Sequence, residues 1–365
     1  MVITVTLNPS MDKTFEIPRF QPGGVYHKAR LIKSVAGGKG INVSRALKLL
    51  GGETLALTLL GGCTGRAIAG KLAAEGIDVG SVEIQGESRT CLGIIDPESS
   101  VETVLNETGP EVLKSEAARF IRLFKETLRR YGSRPDGGAA PLVVLAGSAP
   151  PGFGPDVFKN LAAEIKRRGA RAVADLSGDC LRCAVQAAPF MVKINAAELE
   201  NLTGGRLDTE LEIFDAMERI AEAGVKAVVV TRGAKDALAV VRGPKNGIRR
   251  WRAQAPRVEA VSAWGSGDCV TAGMVRVLAE AESRLDEAGG RFNEANLDDA
   301  VFDDAALDDA NFDDAAFDDA VFEKALRTGM ASGAANTLSA GAGVIDPRDV
   351  KRLFKVIQVT RISRD

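Results

Sequence analysis

Residues 141–177, PLVVLAGSAPPGFGPDVFKNLAAEIKRRGARAVADLS, set a short β-rich run before a helical pattern and follow it with a second β-rich run. A strand, a helix and a strand in this order make a right-handed crossover, which brings the two strands into one parallel sheet. The same rhythm recurs in both directions, with VITVTL at 2–7, ETLALTLLG at 53–61, FMVKIN at 190–195 and KAVVVTRG at 226–233, and TELEIFDAMERIAEAGV at 209–225 between the last two. Alternation of this kind predicts an α/β fold, a mostly parallel sheet with helices on both faces, and ligands at the carboxyl ends of the strands.

Two stretches break the rhythm. Residues 13–36 and SRTCLGIIDPESSVETVLNE at 88–107 read as strands without intervening helices, and are expected to pair into a small second sheet or lid. YGSRPDGGAAP at 131–141 reads as a surface loop before the central strand.

With 365 residues and 45% apolar content, the chain can bury a full core, which excludes a disordered protein. Residues 291–322 hold ten Asp and Glu294 against Arg291, a local charge of −10 within an overall −2, so the rest of the chain carries +8. That balance suits anionic small molecules, while the scattered Lys and Arg form no run that points to nucleic acid. MVITVTLNPS starts directly on a strand without the regions of a signal peptide, and no apolar run reaches membrane length, so a cytoplasmic protein with no membrane partner is expected. Five dispersed cysteines fit a reduced compartment. Cys180 and Cys183 form a lone C-x-x-C with no second pair or histidine beside it, which reads as packing rather than a metal cage.

ANLDDAVFDDAALDDANFDDAAFDDAVF at 295–322 repeats every five residues. A five-residue step turns about 140° net on a helix, so the Leu and Phe positions make no stripe. An odd period also flips the sheet face at each repeat. A coil that turns a corner every five residues would point Ala and Leu or Phe inward and the Asp pairs outward, and here the stretch resembles the pentapeptide-repeat β-helices. A solvated acidic loop is the other reading. The domains are expected at 1–290 with 323–365, and an inserted segment at 291–322.

Three motifs carry chemistry. In SAWGSGDCVTAGMVRVLAEA at 262–281, Gly265, Ser266 and Gly267 precede Asp268 where a long helix opens. Such a turn aims backbone amides and the positive end of a helix at an anion, and Asp268 at its edge is placed to accept a proton from an attacking hydroxyl, with His27 the only histidine to compete. An Asp cap after turn glycines is the plainer reading. In AGGKGINVSRALKLLGG at 36–52, Gly37, Gly38 and Gly40 surround Lys39 and a helix opens near Asn42, without Walker spacing. This suits hydroxyls or phosphate, with Lys39 as a point charge and Asn42 as a directional amide, or a plain turn. Asp12 in TLNPSMD follows the first strand, where a carboxylate bonds sugar hydroxyls or caps a turn.

Together these motifs resemble the ribokinase-like sugar kinases, and within them the phosphofructokinase B branch, from TVTLNPSMD to AANTLSAGAGV outside the acidic repeat. The resemblance implies a ribokinase-like three-layer sandwich with a small β-sheet lid, and transfer of the ATP γ-phosphoryl group with Mg2+. It implies Gly265, Ser266 and Gly267 as the anion hole and Asp268 as the base. It implies Asp12, Gly38, Lys39 and Asn42 on the sugar and Arg89 on the substrate phosphate. Asn195 and Glu198 would organise magnesium largely through water, and Lys193, Asn195, Thr231, Gly233 and Asn336 would contact the nucleotide. Ile194 stands where Pro is usual, TRG replaces Ser-Leu-Gly, and Trp264 precedes the anion hole where a smaller residue is common, which bears on the shape of the adenine pocket.

Lys39 and Arg89 beside Asp12 favour a phosphorylated sugar. The acceptor expected is fructose 1-phosphate, with tagatose 6-phosphate and fructose 6-phosphate as alternatives. A homodimer through the lid is expected. An interaction protein whose acidic repeat meets a basic partner is the reading from a different class.

Overall fold

The computed structural model describes residues 1–23, 26–99, 101–131, 141–243, 247–287 and 317–363, apart from the side chains of 284–287. The apolar runs form one ten-stranded sheet. From one edge it runs through β5 (Asp78–Ile84), β4 (Thr54–Gly61), β1 (Val2–Thr6), β8 (Leu142–Gly147), β9 (Arg171–Leu176), β10 (Met191–Asn195) and β11 (Ala227–Arg232), all parallel. β12 (Lys235–Arg242), β13 (Ile248–Ala253) and β14 (Val359–Ile362) complete it as an antiparallel edge.

The central strands β8, β10 and β11 are mostly apolar because both faces are covered. Ile3, Val5, Val143 and Leu145 point toward Phe120 and Phe124 of α3 (Lys114–Tyr131) and Phe158 of α4 (Val157–Arg167). α5 (Gly178–Val185), α6 (Ala196–Thr203) and α7 (Glu210–Glu222) close the same face. Val2, Leu142 and Val144 point the other way, toward Val43 and Leu47 of α1 (Lys39–Leu49) and Met274 of α8 (Ser266–Glu287). α9 (Asp319–Thr337) and α10 (Pro347–Phe354) complete that layer, giving the expected three-layer sandwich.

The lid is a four-stranded sheet in the order β3 (Arg30–Gly37), β2 (Ser10–Glu16), β6 (Arg89–Asp96) and β7 (Val101–Asn106). It begins at Ser10, three residues before the stretch read from the sequence, because Ser10 and Met11 already pair with Gly37 and Ala36. Met11 and Ala36 pack on Ile68 and Leu72 of α2 (Gly62–Ala74), whereas Leu31, Val101 and Leu105 are exposed. Among the described residues, no helix is long and apolar enough to cross a membrane.

α8 and α9 pack antiparallel, with Cys269 donating to Asn336 Oδ1 at one end and Gly273 against Gly329 midway. The acidic repeat is the connection between these two helices. Its coil reading, made for 295–322, lies outside the described residues over 295–316. Its last unit differs from that reading and belongs to α9, so the boundary at 322 lies inside a helix. Asp318 caps this helix by accepting the Val321 N–H at 2.7 Å, and Asp319 pairs with Arg249 of β13 and, at 3.1 Å, with Arg361 of β14. Phe317 is buried edge-on against Phe190 and Phe322, with ring centroids 4.9 and 5.4 Å away. Period alone did not separate a capping Asp from a repeated one.

Replacing Phe317 by Ala opens this aromatic cluster and should cost about 3 kcal/mol in urea unfolding. A loss below about 1 kcal/mol would show that the cluster does not hold the start of α9.

Candidate active site

Chain order in the sheet reverses at β1, whose neighbours β8 and β4 lead away in opposite directions, and a cleft opens beyond the carboxyl ends at such a point. A cavity of about 570 Å³ lies there. Gly265, Ser266, Gly267, Asp268, Asp12, Gly38, Lys39, Asn42, Arg89, Lys193, Asn195, Thr231 and Gly233 all border it. A second hollow, of about 750 Å³, shares Asn195, Thr231 and Gly233 and extends the trough toward α7.

One end of the cavity is the turn into α8. Gly265 has φ 83°, and a Cβ there would sit 2.6 Å from Ala342 Cα, so only glycine allows the turn to press on the C-terminal loop. Ser266, Gly267 and Asp268 form the first turn of α8, whose N-terminal amides have no partner within the helix and suit an anion. Lys193 Nζ lies 2.9 Å from the place a Gly267 Cβ would take, so an ammonium group abuts the turn. Asp268 is buried, and its Oδ2 accepts from Asn42 Nδ2 at 2.8 Å. Burial and the nearby Asp175 raise its pKa to about 7, against the opposing pull of Lys39, Lys193 and the Asn42 bond.

The opposite end is built by β1, β2 and the lid. Asp12 accepts from Ser10 Oγ at 2.5 Å, and burial lifts its pKa to about 6 despite the Ser10 bond, Arg45 and Arg89. Its carboxylate occupies the place where a Gly37 Cβ would stand, which excludes any larger residue. Among the described residues, the hydrogen-bond partners of Arg89 of β6 are carbonyls, at 3.2 and 3.0 Å to Asn8 O and 2.9 Å to Glu107 O. Thr6 Oγ1 and Asn8 Oδ1 are buried here without a partner among the described residues. His27 is bonded to the Gln21 backbone outside the cavity, so it offers no competing base.

Between the two ends lies a group absent from the sequence reading. Asp175, at the end of β9, is fully buried and accepts from Lys39 at 2.9 Å, Lys193 at 2.8 Å and Thr271 at 2.7 Å. Burial pushes its pKa up, yet Lys193 and Lys39 hold it below the usual carboxylate range. A lone acid within the apolar run RAVADL was the available signal. Glu102 of β7 was also missed. It accepts from Ser262 Oγ at 2.6 Å and Ala263 N at 3.0 Å, tying the lid to the segment that feeds the turn, while Trp264 lies against Gly93 of β6.

Two expected roles change, those of Lys39 and Asn336. Lys39 is committed to Asp175 and, at 3.2 Å, to Glu198, so it is not a free phosphate cation. Asn336 is buried under the turn, where its amide donates to Trp264 O at 3.0 Å, and does not border the cavity. Asn195 and Glu198 form the capping box of α6, each side chain accepting the other's N–H at 2.8 Å, and Glu198 lies behind the cavity wall.

The pfkB family carbohydrate kinase model matches residues 5–301. The chain belongs to the pfkB family of carbohydrate kinases. It is similar to a 1-phosphofructokinase candidate from Thermotoga maritima, at 26% identity over 100% of both chains with a TM-score of 0.77. It is also similar to phosphofructokinase-2 from Escherichia coli, at 26% identity over 97% of this chain and 98% of that one with a TM-score of 0.75. A Thermotoga maritima ribokinase, 18% identical over 97% and 99% with a TM-score of 0.66, shares the fold. The chain is accordingly an ATP-dependent, phosphofructokinase-like sugar kinase, and its family uses ATP with a divalent metal.

The donor set fits such a metal only through water and phosphate. Among the described residues no cluster of three His, Cys, Asp or Glu forms a cage, and the Glu198 and Asp175 oxygens already accept from Lys39, Lys193, Thr271 and the Asn195 backbone. Mg2+ keeps several waters and takes one or two carboxylates together with substrate phosphates, which suits Asn195 and Glu198 as groups that meet its waters.

A carboxylate accepts a proton only when ionised, so a base at Asp268 predicts activity that falls roughly tenfold per unit as pH drops below about 7. Asp268→Asn should remove this limb and lower kcat by at least about 10²-fold, with both KM values nearly unchanged. A variant with near-normal kcat would take Asp268 out of the mechanism.

Proposed function

We propose that the chain phosphorylates a hydroxyl of a phosphorylated ketohexose to give a ketohexose bisphosphate, with fructose 1-phosphate as the preferred acceptor. The observation that carries this reading is Arg89. Lys39 and Lys193 are bound to carboxylates, whereas the partners of the Arg89 guanidinium are the carbonyls of Asn8 and Glu107. A cation arranged in this way beside Asp12 is suited to a dianionic substituent on a sugar whose hydroxyls meet Asp12, Thr6 and Asn8. The 1-phosphofructokinase candidate from Thermotoga maritima and phosphofructokinase-2 support a phosphorylated hexose in this site.

The sugar lies with its phosphate on the lid and its reacting hydroxyl at Asp268. The nucleotide occupies the trough past Lys193, Asn195, Thr231 and Gly233, with its γ-phosphate at Gly265–Gly267. Asp268 takes the proton as the hydroxyl oxygen attacks in line, and the turn amides and Lys193 stabilise the charge on the transferring group. Bound Mg2+ supplies further neutralisation of the phosphate oxygens. Asp175 keeps Lys39 and Lys193 in place between the two substrates.

Leu31, Val101 and Leu105 on the outer lid face, together with the open edges of β3 and β7, support a homodimer formed through the lid. Sedimentation velocity at micromolar concentration should show a dimer that Leu105→Asp dissociates. A monomer for the unaltered chain would reject it.

A coupled assay of fructose 1-phosphate, fructose 6-phosphate and tagatose 6-phosphate at equal concentration should rank the first highest in kcat/KM. Arg89→Met should raise the KM of the phosphorylated sugar by about tenfold or more, the scale of one lost charge-assisted contact, with kcat less affected. Turnover that favours an unphosphorylated hexose would overturn the assignment.

A further inference from the structure

Arg45 lies one helical turn after Asn42 on α1, buried, and touches four groups. Its Nη1 donates to Asn42 Oδ1 at 3.1 Å and to the Ala342 carbonyl at 3.1 Å, its Nη2 donates to the Ala36 carbonyl, and its Nε is paired with Glu75 at 2.7 Å. A carboxamide has one donor end and one acceptor end. Arg45 has only donors, so the end of Asn42 that faces it must be the oxygen. The Asn42 NH2 group is thereby turned to the other side, where it donates to Asp268 Oδ2.

From this chain of contacts we infer that Arg45 is a positioning residue for phosphoryl transfer: it fixes the orientation of the Asn42 amide, which in turn holds the Asp268 carboxylate with one oxygen occupied and the other open to the substrate hydroxyl. The inference rests on Asp268 acting as the base, as proposed above. An unrestrained amide can rotate and present its oxygen to Asp268, where two acceptors would repel each other.

The same guanidinium joins three segments that shape the site. Ala36 ends the lid strand β3, Asn42 belongs to α1, and Ala342 belongs to the loop against which Gly265 is pressed. A single buried group therefore ties the sugar-side glycines to the anion-hole turn, while Glu75 on the far side balances its charge.

The groups facing Asp268 give the inference a readout that a purely structural role would not move. Asp175 from β9 raises the Asp268 pKa, while Lys39 from α1, Lys193 from β10 and the Asn42 bond lower it. A donor to the ionised carboxylate favours the charged form, so loss of the Asn42 bond raises the pKa and moves the acid limb of the rate profile to higher pH.

Arg45→Lys keeps the positive charge near Asp12 and Asp268 but lacks the planar fork that reaches Asn42, Ala36 and Ala342 together. It should lower kcat by about tenfold, the scale of one hydrogen bond to a charged group, move the acid limb to higher pH and change neither KM by more than about threefold. Arg45→Met should do the same, and if it fails to fold, Arg45→Lys decides. Combining Arg45→Lys with Asn42→Ala should cost no more than Asn42→Ala alone, because both act through one bond. Losses that multiply, an acid limb that stays in place, or full rescue by Lys would each overturn the inference. Unaltered enzyme assayed in parallel separates the two questions, since turnover there with no variant effect rejects the role of Arg45 and leaves the kinase reading standing.

Discussion

A buried carboxylate organises the centre of this molecule. Asp175 has no exposed surface, and an ionised acid in that position is tolerated only because two lysines and a threonine hydroxyl surround it. Those partners come from α1, β10 and α8, so one charge cluster links these three elements around the cavity. Lys39 and Lys193 are held at the cavity by these ion pairs. Together with burial, the same negative charge raises the pKa of Asp268 to about 7, which suits the role of base proposed for it.

Around this cluster the glycine segments and the lid act as spacers of fixed size. Gly37 leaves room for Asp12, and Gly265 lets the turn meet Ala342. The lid has its own ties to both ends: Arg89 to the carbonyl after β1, and Glu102 to Ser262 and Ala263 just before the turn. The lid is thus tied directly to the segment that leads into the glycine turn.

Most of the architecture was legible because its causes are local. PLVVLAG and KAVVVTRG carry apolar residues on both faces, which a covered parallel sheet satisfies, and GSGD and GGKG mark turns whose backbone needs glycine. What stayed hidden depends on contacts between distant segments. Asp175 meets Lys39 across 136 positions, and Asn42 meets Asp268 across 226, so no spacing announces either pair. Lys39 read as a free cation because its two acids lie far along the chain. Asn336 read as a ligand contact, and its burial beneath Trp264 follows from the antiparallel packing of α8 and α9. The end of the acidic repeat misled for the opposite reason, since Asp318 matches the period and only the helix that follows makes it a cap.

The central claim, that Asp175 both positions the lysines and raises the pKa of the base, is tested most directly by the pH dependence of kcat/KM in Asp175→Asn. Removing the charge takes away a like-charged neighbour of Asp268 and leaves Lys39 and Lys193 free to stabilise its ionised form. The acid limb should therefore move to lower pH while the maximal rate falls. A limb that stays near pH 7, or moves upward, would contradict the account.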